Sequence, residues 1–133
     1  MRKNSHLFVV ITLITTLLLT ECSKEKNAYL RITSPGNGNA YRAGEHITIT
    51  WESQCIAGNI NEINITSVKG SDRWWTATLI KAVPNNGHTI VTLPNAATMA
   101  ILPVSFGKYF KIQLVAEGGK VYAEQQGTFT INP

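Results

Sequence analysis

The chain has 133 residues, which is room for one domain, and its 12 basic residues outnumber its 8 acidic ones for a net charge of +4. The basic residues after position 21 are scattered and form no run. A nucleic-acid binder is expected to concentrate them on one face or element, so we predict no nucleic-acid partner and interpret the charge as favouring solubility.

The first 21 residues have the layout of a signal peptide. Met1, Arg2 and Lys3 form a basic start, and residues 7–19 are an uncharged, almost wholly apolar run. This run is shorter than the about 20 residues of a comfortable membrane span and has the length of a signal-peptide core. Whether this signal is cleaved or stays as an anchor, we expect the body of the protein to lie outside the cytoplasm.

The apolar run ends in Leu19-Thr20-Glu21-Cys22, which resembles the lipobox of bacterial lipoproteins. The resemblance implies that Cys22 becomes the lipidated first residue of the mature protein. The departure is Glu21, because a small residue normally precedes the lipobox cysteine. The alternatives are an ordinary secretory signal that is cleaved nearby and an uncleaved anchor.

These features divide the chain into three parts. We predict a lipoprotein-type signal peptide (residues 1–21), a polar tether (residues 22–28) and a folded domain (residues 29–133). The expected location is the cell envelope, with the lipid on Cys22 holding the protein on the outer side of a membrane, such as an outer membrane or the cell surface. Otherwise, the protein is expected to be secreted.

The chain has two cysteines, Cys22 and Cys55. If Cys22 carries lipid, Cys55 has no partner within the chain and is a buried free thiol or an intermolecular link. If Cys22 is not lipidated, a disulfide between the two becomes available. The sequence leaves these outcomes open, although a lone buried cysteine is the commoner one.

The clearest strand signal lies in residues 45–51. Ile47, Ile49 and Trp51 alternate with polar residues, which predicts a strand with one buried and one solvent-facing side. A sheet of this kind needs a second sheet to cover its apolar side. We therefore predict a central core strand here, with Trp51 as the largest single contributor to the core.

Six further strands are predicted from the same alternation and from the turn signals between them. In chain order they are residues 29–33, 62–66, 74–83, 88–93, 109–116 and a last strand in two parts, 121–123 and 128–131. Residues 95–102 are predicted as an Ala-rich loop with room for one helical turn. The pattern predicts an all-β fold, an immunoglobulin-like or fibronectin-III-like sandwich of about seven antiparallel strands.

Adjacent tryptophans in the strand at residues 74–83 must point to opposite faces. Trp75 shares its side with three apolar residues, Ala77, Leu79 and Val83, whereas Trp74 shares its side with Thr76, Thr78 and Ile80. We therefore predict that Trp75 lies in the core and that Trp74 is at least partly exposed. Ile80 indicates that the outer side is partly covered.

Trp74, Thr76 and Thr78 are the candidate ligand-binding residues. An exposed Trp on a secreted sandwich can stack on a sugar ring or bind a partner protein. The structural alternative is that Trp74 lies flat on the outer sheet or packs under a loop. The sequence does not choose between these roles.

A family resemblance runs from Ile32 to the end of the chain. It is carried by core and turn motifs, namely Ile32-Thr33-Ser34-Pro35, the strand at residues 43–51, Ala82-Val83-Pro84-Asn85-Asn86-Gly87, Leu93-Pro94, Tyr109-Phe110-Lys111-Ile112 and Gly127-Thr128-Phe129-Thr130-Ile131. This order resembles the N-terminal domain of the yeast cell-wall-synthesis proteins, also called the Ser-Thr-rich GPI-anchored membrane family. The resemblance implies an immunoglobulin-like fold and an envelope setting, and it implies no catalytic or ligand residue.

No catalytic, metal or cofactor site is predicted. His46 and His88 are isolated on the polar sides of different strands, and no Cys/His zinc spacing occurs. No nucleophile elbow, phosphate loop or catalytic triad pattern is present. The glycosylation acceptor pattern at Asn64-Ile65-Thr66 lies in the middle of a strand, and we interpret it as a chance occurrence.

The function predicted from these observations is a non-catalytic module of the cell envelope, structural or protein-binding at the cell surface. One alternative is a carbohydrate-binding module that uses Trp74. Another is a secreted inhibitor that acts through the loops at one end of the sandwich, since sandwich loops commonly carry binding.

The anchoring hypothesis predicts that Cys22→Ala leaves the protein unprocessed or soluble, because the acceptor thiol is gone. Mass spectrometry of membrane-extracted protein checks this, and the wild-type mature chain should begin at an acylated Cys22. An unmodified N-terminus downstream of Cys22 would rule the hypothesis out.

Overall fold

The computed structural model describes Cys22, residues 28–101 and residues 109–133. In these residues the elements follow each other as β1 (Tyr29–Ser34), β2 (Ala40–Arg42), β3 (His46–Gln54), β4 (Ile60–Lys69), β5 (Asp72–Val83), β6 (His88–Thr92), α1 (Ala96–Ile101), β7 (Tyr109–Ala116), a 3₁₀ turn (Glu117–Gly119), β8 (Val121–Glu124) and β9 (Phe129–Asn132). The predicted signal peptide (residues 1–21) and most of the predicted tether lie outside the described residues.

The strands form two sheets that pack face to face. The smaller sheet has the order β1-β3-β6, and the larger sheet has the order β2-β9-β7-β4-β5, with β8 paired to β7. All pairings are antiparallel except that of β2 with β9, which is parallel. The predicted all-β sandwich is therefore confirmed.

The structure has more strands than the about seven that were predicted. β2 has three residues, which is too short to show an alternating pattern. The two parts of the predicted last strand are separate strands, because β8 pairs with the second half of β7 and β9 pairs with its first two residues. Most of the loop predicted at residues 95–102, which left room for one helical turn, is the six-residue helix α1.

The predicted central strand lies in the middle of the smaller sheet as β3. Ile47, Ile49 and Trp51 are buried at its inner side, as predicted. They join one core cluster with residues of the larger sheet, including Ile63, Ile65, Phe110, Ile112, Leu114 and Phe129. The two sheets are thus held together by apolar side chains that alternate along each strand.

Trp51 is fixed by the turn between β5 and β6 as well as by the core. Its ring Nε1 donates a hydrogen bond to Asn85 Oδ1 at 2.8 Å, and its backbone N donates to Gly87 O at 2.9 Å. Gly87 has φ +91°, and a Cβ added there would lie 3.3 Å from the Trp51 carbonyl oxygen. This turn therefore needs glycine for its conformation and for its close approach to β3.

Strand β5 departs from regular alternation at two bulges. Ile80 pairs with Ile63 and Thr78 with Asn64, so Leu79 is an extra residue on β5. The bulge places Ile80 opposite a core residue, and Ile80 packs against the core. The prediction that Ile80 lies on the Trp74 side is therefore wrong, because a bulge resets the period-two pattern.

Two further sequence predictions are resolved by burial. His46 and His88 are exposed, as predicted, and His46 Nδ1 lies 2.8 Å from Thr92 Oγ1. Asn64 is 9% exposed in β4, between β5 and β7, so its glycosylation pattern is not presented to solvent. Within the described residues, no helix combines the length and apolar character needed to cross a membrane.

Replacing Trp51 or Phe110 with Ala should each lower the free energy of unfolding by about 3–5 kcal/mol, because the side chains are 4% and 1% exposed and truncation leaves a cavity. Chemical denaturation monitored by circular dichroism measures the change. Ile90→Ala is the control: Ile90 is 65% exposed, and its loss should cost about 0.5 kcal/mol or less. A cost below about 1 kcal/mol at both core positions would contradict the assignment of the strand faces.

Candidate binding surface

The predicted ligand-binding residues lie on β5, an edge strand of the larger sheet. Trp74, Thr76 and Thr78 are all exposed, and Trp74 retains 47% of its surface. Thr76 and Thr78 pair with Thr66 and Asn64 of β4. The structure therefore places the three residues on one strand at the border of the sheet, where a ligand can reach them.

The predicted division between the two tryptophans is confirmed. Trp75 is half-buried and packs against the core, while Trp74 is exposed. The second bulge of β5 lies at Trp74. Trp75 pairs with Ser67 and Arg73 pairs with Val68, so Trp74 is the extra residue on β5. Trp74 thus lies between Arg73 on the outer side and Trp75, which packs against the core.

The outer face of the larger sheet, which carries Thr66, Asn64 and Gln113 at its centre, is more closely covered than is usual for a solvent-facing sheet. Thr66 is fully buried, and Asn64 and Gln113 are 9% and 6% exposed. Ile63 and Ile65 point into the core, so Asn64 and Thr66, which alternate with them along β4, point outward. Side chains from neighbouring strands must therefore lie over the centre of this face.

One carboxylate organises these covering side chains. Glu124 Oε2 accepts a hydrogen bond from Arg73 Nη2 and another from the Tyr122 hydroxyl at 3.1 Å, and Glu124 Oε1 lies 3.6 Å from Lys111 Nζ. We call Arg73, Lys111, Tyr122 and Glu124 the Glu124 cluster. It joins β5 to β8 across the two strands between them, β4 and β7.

The Glu124 cluster is partly shielded from water. Glu124 is 20% exposed at its side chain, compared with 51% for Arg73. Burial raises the pKa of the Tyr122 phenol above its ordinary value, and the hydrogen bond and negative charge of Glu124 raise it further, while Arg73 lowers it. The Tyr122 hydroxyl therefore stays protonated at neutral pH and can donate to Glu124.

Exposed aromatic side chains also lie on the three strands that carry this cluster, β5, β7 and β8. Tyr109 and Tyr122 retain 53% and 47% of their surface, in addition to Trp74. Tyr109 and Arg73 pair with Val68 from opposite sides, so their backbones are about 10 Å apart at the usual strand spacing. The outer face thus combines a fixed charged centre with accessible aromatic rings.

Side chains that commonly ligate metals are not grouped in the part of the chain that the structure describes. Among residues 28–101 and 109–133, no three His, Cys, Asp or Glu side chains are grouped closely enough to hold a metal ion.

An open depression of about 670 Å³ lies at one end of the sandwich, lined by residues 40–45 and Asn132. Its Glu45 carboxylate accepts a hydrogen bond from the Arg42 backbone N at 2.7 Å.

The predicted lipidation residue, Cys22, forms a disulfide with Cys55 in the structure. Cys22 is exposed and Cys55 is half-buried. Of the outcomes that the sequence left open, the structure therefore shows the intrachain disulfide, and the commoner outcome, a lone buried thiol, is not the one seen. Lipidation of the same sulfur stays a prediction.

Sequence reasoning found the β5 residues of this surface but missed the rest. The alternation of β7, with Phe110 turned inward, already places Tyr109 outward, and the same argument applies to Tyr122 beside the buried Ala123. No alternation or other local pattern in the sequence predicts the ion pair between Arg73 and Glu124. Those residues are 51 positions apart in sequence, and only the sheet order brings them together.

No protein-family model matches the chain, and no curated protein matches it. Similar solved structures include an engineered protein, Northeast Structural Genomics Consortium Target OR128, with 12% identity, a TM-score of 0.39 and coverage of 80% of this chain and 20% of that one. A chitin-binding domain from Burkholderia pseudomallei is 13% identical, with a TM-score of 0.38 and coverage of 75% of this chain and 59% of that one.

The chain thus spans a fifth of the first similar structure and about three fifths of the second. At these TM-scores neither similarity assigns a ligand or a function to this protein. The resemblance to the yeast cell-wall-synthesis family likewise stays a prediction.

The different surroundings of the two tryptophans predict different effects of truncation. Trp75→Ala should lower the free energy of unfolding by roughly 2–3 kcal/mol, less than for a fully buried Trp, because Trp75 is half-buried. Trp74→Ala should change it by about 0.5 kcal/mol or less. Urea denaturation of both variants makes the comparison. An equal or larger cost for Trp74→Ala would show that Trp74 is the packed ring.

Proposed function

We propose that the protein is a non-catalytic binding module of the cell envelope that binds another envelope protein through the outer face of its larger sheet. One observation carries the proposal. Arg73 and Tyr122 are exposed and bonded to one carboxylate, Glu124, and the same strands expose Trp74 and Tyr109, on a sheet whose central polar residues are buried.

The residue types on this face favour a protein partner. Aromatic residues and Arg are enriched in the cores of protein interfaces, and Trp, Tyr and Arg are the residues most often found to dominate binding energy. Strands β5, β7 and β8 carry exposed residues of all three types. It is an open sheet face rather than a closed cleft, which suits a flat protein surface better than a small molecule.

The arrangement also limits the entropic cost of binding. The side chains of Arg73, Lys111 and Tyr122 are already held by Glu124 in the free protein. Ordering a flexible side chain at an interface costs about 0.5–1.5 kcal/mol. A partner that binds to these side chains in their existing positions avoids part of this cost.

The envelope location is supported by the N-terminal sequence. A basic start, an apolar run and the lipobox-like motif ending in Cys22 predict export and attachment to a membrane by lipid. A cysteine pair that forms a disulfide is also typical of compartments outside the cytoplasm. In this proposal, the protein is anchored on the outer side of a membrane or, without lipid, secreted.

A second candidate is a carbohydrate-binding module, as predicted from Trp74. The observation that favours it is the exposure of Trp74 next to the hydroxyl-bearing Thr76 and Thr78 on the same edge strand. An aromatic ring with adjacent hydroxyls can stack on a sugar and hydrogen-bond to it. The inhibitor hypothesis has no comparable support beyond the open depression lined by residues 40–45 and Asn132.

The test is binding of the purified domain to envelope proteins from its own source, followed by affinity measurement with each captured protein. Trp74→Ala and Tyr109→Ala should each weaken the affinity for a captured partner protein by about thirtyfold. This is the equivalent of about 2 kcal/mol, as for a dominant interface residue. Ile90→Ala, on the opposite sheet, is the matched control and should leave the affinity unchanged.

An equal affinity of all three variants for the captured protein would overturn the proposed surface.

A glycan array probed with the wild-type protein and the same variants tests the second candidate, the carbohydrate-binding module. Glycan binding that is lost in Trp74→Ala, together with no protein partner, would replace the protein-binding proposal with the carbohydrate-binding one.

A further inference from the structure

The sulfur atom of Cys22 has two incompatible roles. The sequence around it predicts that it accepts lipid, whereas the structure bonds it to Cys55. A thioether to a glyceryl group and a disulfide both use the single valence of the same Sγ. Each copy of the protein can therefore carry one of the two bonds at this atom and not both.

The fold itself holds the second sulfur close to the first. Cys55 directly follows β3, and β1 pairs with β3 so that Tyr29 is the partner of Gln54. Only residues 23–28 separate Cys22 from Tyr29. The β1–β3 ladder thus keeps Cys55 within a short chain length of Cys22, which gives the two thiols a high effective concentration.

The backbone geometry agrees with this. The Cα atoms of Cys22 and Cys55 are 4.9 Å apart, within the usual range of about 4.4–6.8 Å for bridged cysteines. Cys55 has φ +54°, a left-handed conformation that is uncommon for residues other than glycine. It places Cys55 in a turn that leaves the sheet immediately after its last paired residue.

We propose that the Cys22–Cys55 pair decides whether the protein carries its lipid anchor, with oxidation to the disulfide blocking lipidation and the dithiol form permitting it. This inference rests on the lipoprotein part of the proposed function. The modification site is Cys22, and Cys55 is the residue that competes with the lipid for it.

The two reactions are distinct in their chemistry. In lipidation, the S–H bond of Cys22 breaks, as does the C–O bond between the glyceryl carbon and the phosphate of a diacylglyceryl phospholipid. An S–C bond forms between Cys22 and that glyceryl carbon, and the phosphate headgroup leaves with the oxygen and takes up the thiol proton. In oxidation, both thiols lose their protons and two electrons to the disulfide of an oxidised thiol–disulfide oxidoreductase, which becomes a dithiol.

The consequence is two forms with the same binding surface. The Glu124 cluster lies on β5, β7 and β8, and neither cysteine belongs to those strands. The lipidated form is anchored and has a free Cys55 thiol, whereas the disulfide form has no lipid. Oxidation during export therefore removes the lipid anchor of the module without changing the residues that bind its partner.

To test this, the full chain is expressed in a bacterial host that processes lipoproteins. One culture contains a dithiol reductant in the medium and another contains a disulfide oxidant. Free thiols are alkylated with N-ethylmaleimide, and intact masses are measured in the membrane and soluble fractions. In the wild-type protein, the lipidated fraction should rise with reductant and fall with oxidant. In Cys55→Ser and Cys55→Ala, it should be high and lose its redox response. Ser53→Ala is the neighbouring control and should behave as wild type.

The outcomes separate the two proposals. A lipidated fraction that is the same with reductant and oxidant, and the same in wild type and the Cys55 variants, overturns the competition but leaves the lipoprotein proposal intact. Absence of lipid from wild type and from both Cys55 variants under reductant overturns both. The wild-type redox response needs no substitution, so a folding defect in a variant does not prevent the test.

Discussion

The packing of β3 against the larger sheet is the interaction on which the rest of this structure depends. Ile47, Ile49 and Trp51 insert between the two sheets and contact a cluster that draws residues from nearly every strand. Burial of each large apolar side chain contributes roughly 1.5–3 kcal/mol. A domain of this size has a net stability of only about 5–15 kcal/mol, so a few such residues decide whether it folds.

Trp51 also links this core to a turn that lies outside it. Its ring N–H and its backbone N–H are both bonded to the β5–β6 turn, through Asn85 and Gly87. A buried indole N–H without a partner would be costly, so Asn85 removes a penalty as well as positioning the turn. Strand β5, which carries the exposed tryptophan, ends at this turn.

The exposed surface follows from the way in which β5 ends the larger sheet. An unprotected edge strand invites pairing with other chains, and proteins block this with bulges and charged residues. β5 has two bulges, and Arg73 and Lys81 lie near its ends. The bulge at Trp74 is therefore consistent with edge protection, and it also leaves a large ring accessible beside the Glu124 cluster. Because exposed ion pairs add little stability, the Arg73–Glu124 pair matters more for the position of these side chains than for folding.

The amino-acid sequence determined the all-β sandwich, the central strand β3 and the inward positions of Trp51, Trp75 and Phe110. Alternation along a strand is a local property, because each residue's side follows from its position in the strand. It did not determine the position of Ile80, the separation of β8 from β9 or the pairing of Arg73 with Glu124. A bulge depends on what the neighbouring strand offers, and an ion pair between strands depends on sheet order. The same holds for Cys22, where the sequence allowed lipid or disulfide. Only the tertiary structure, by pairing β1 with β3, placed Cys55 beside it.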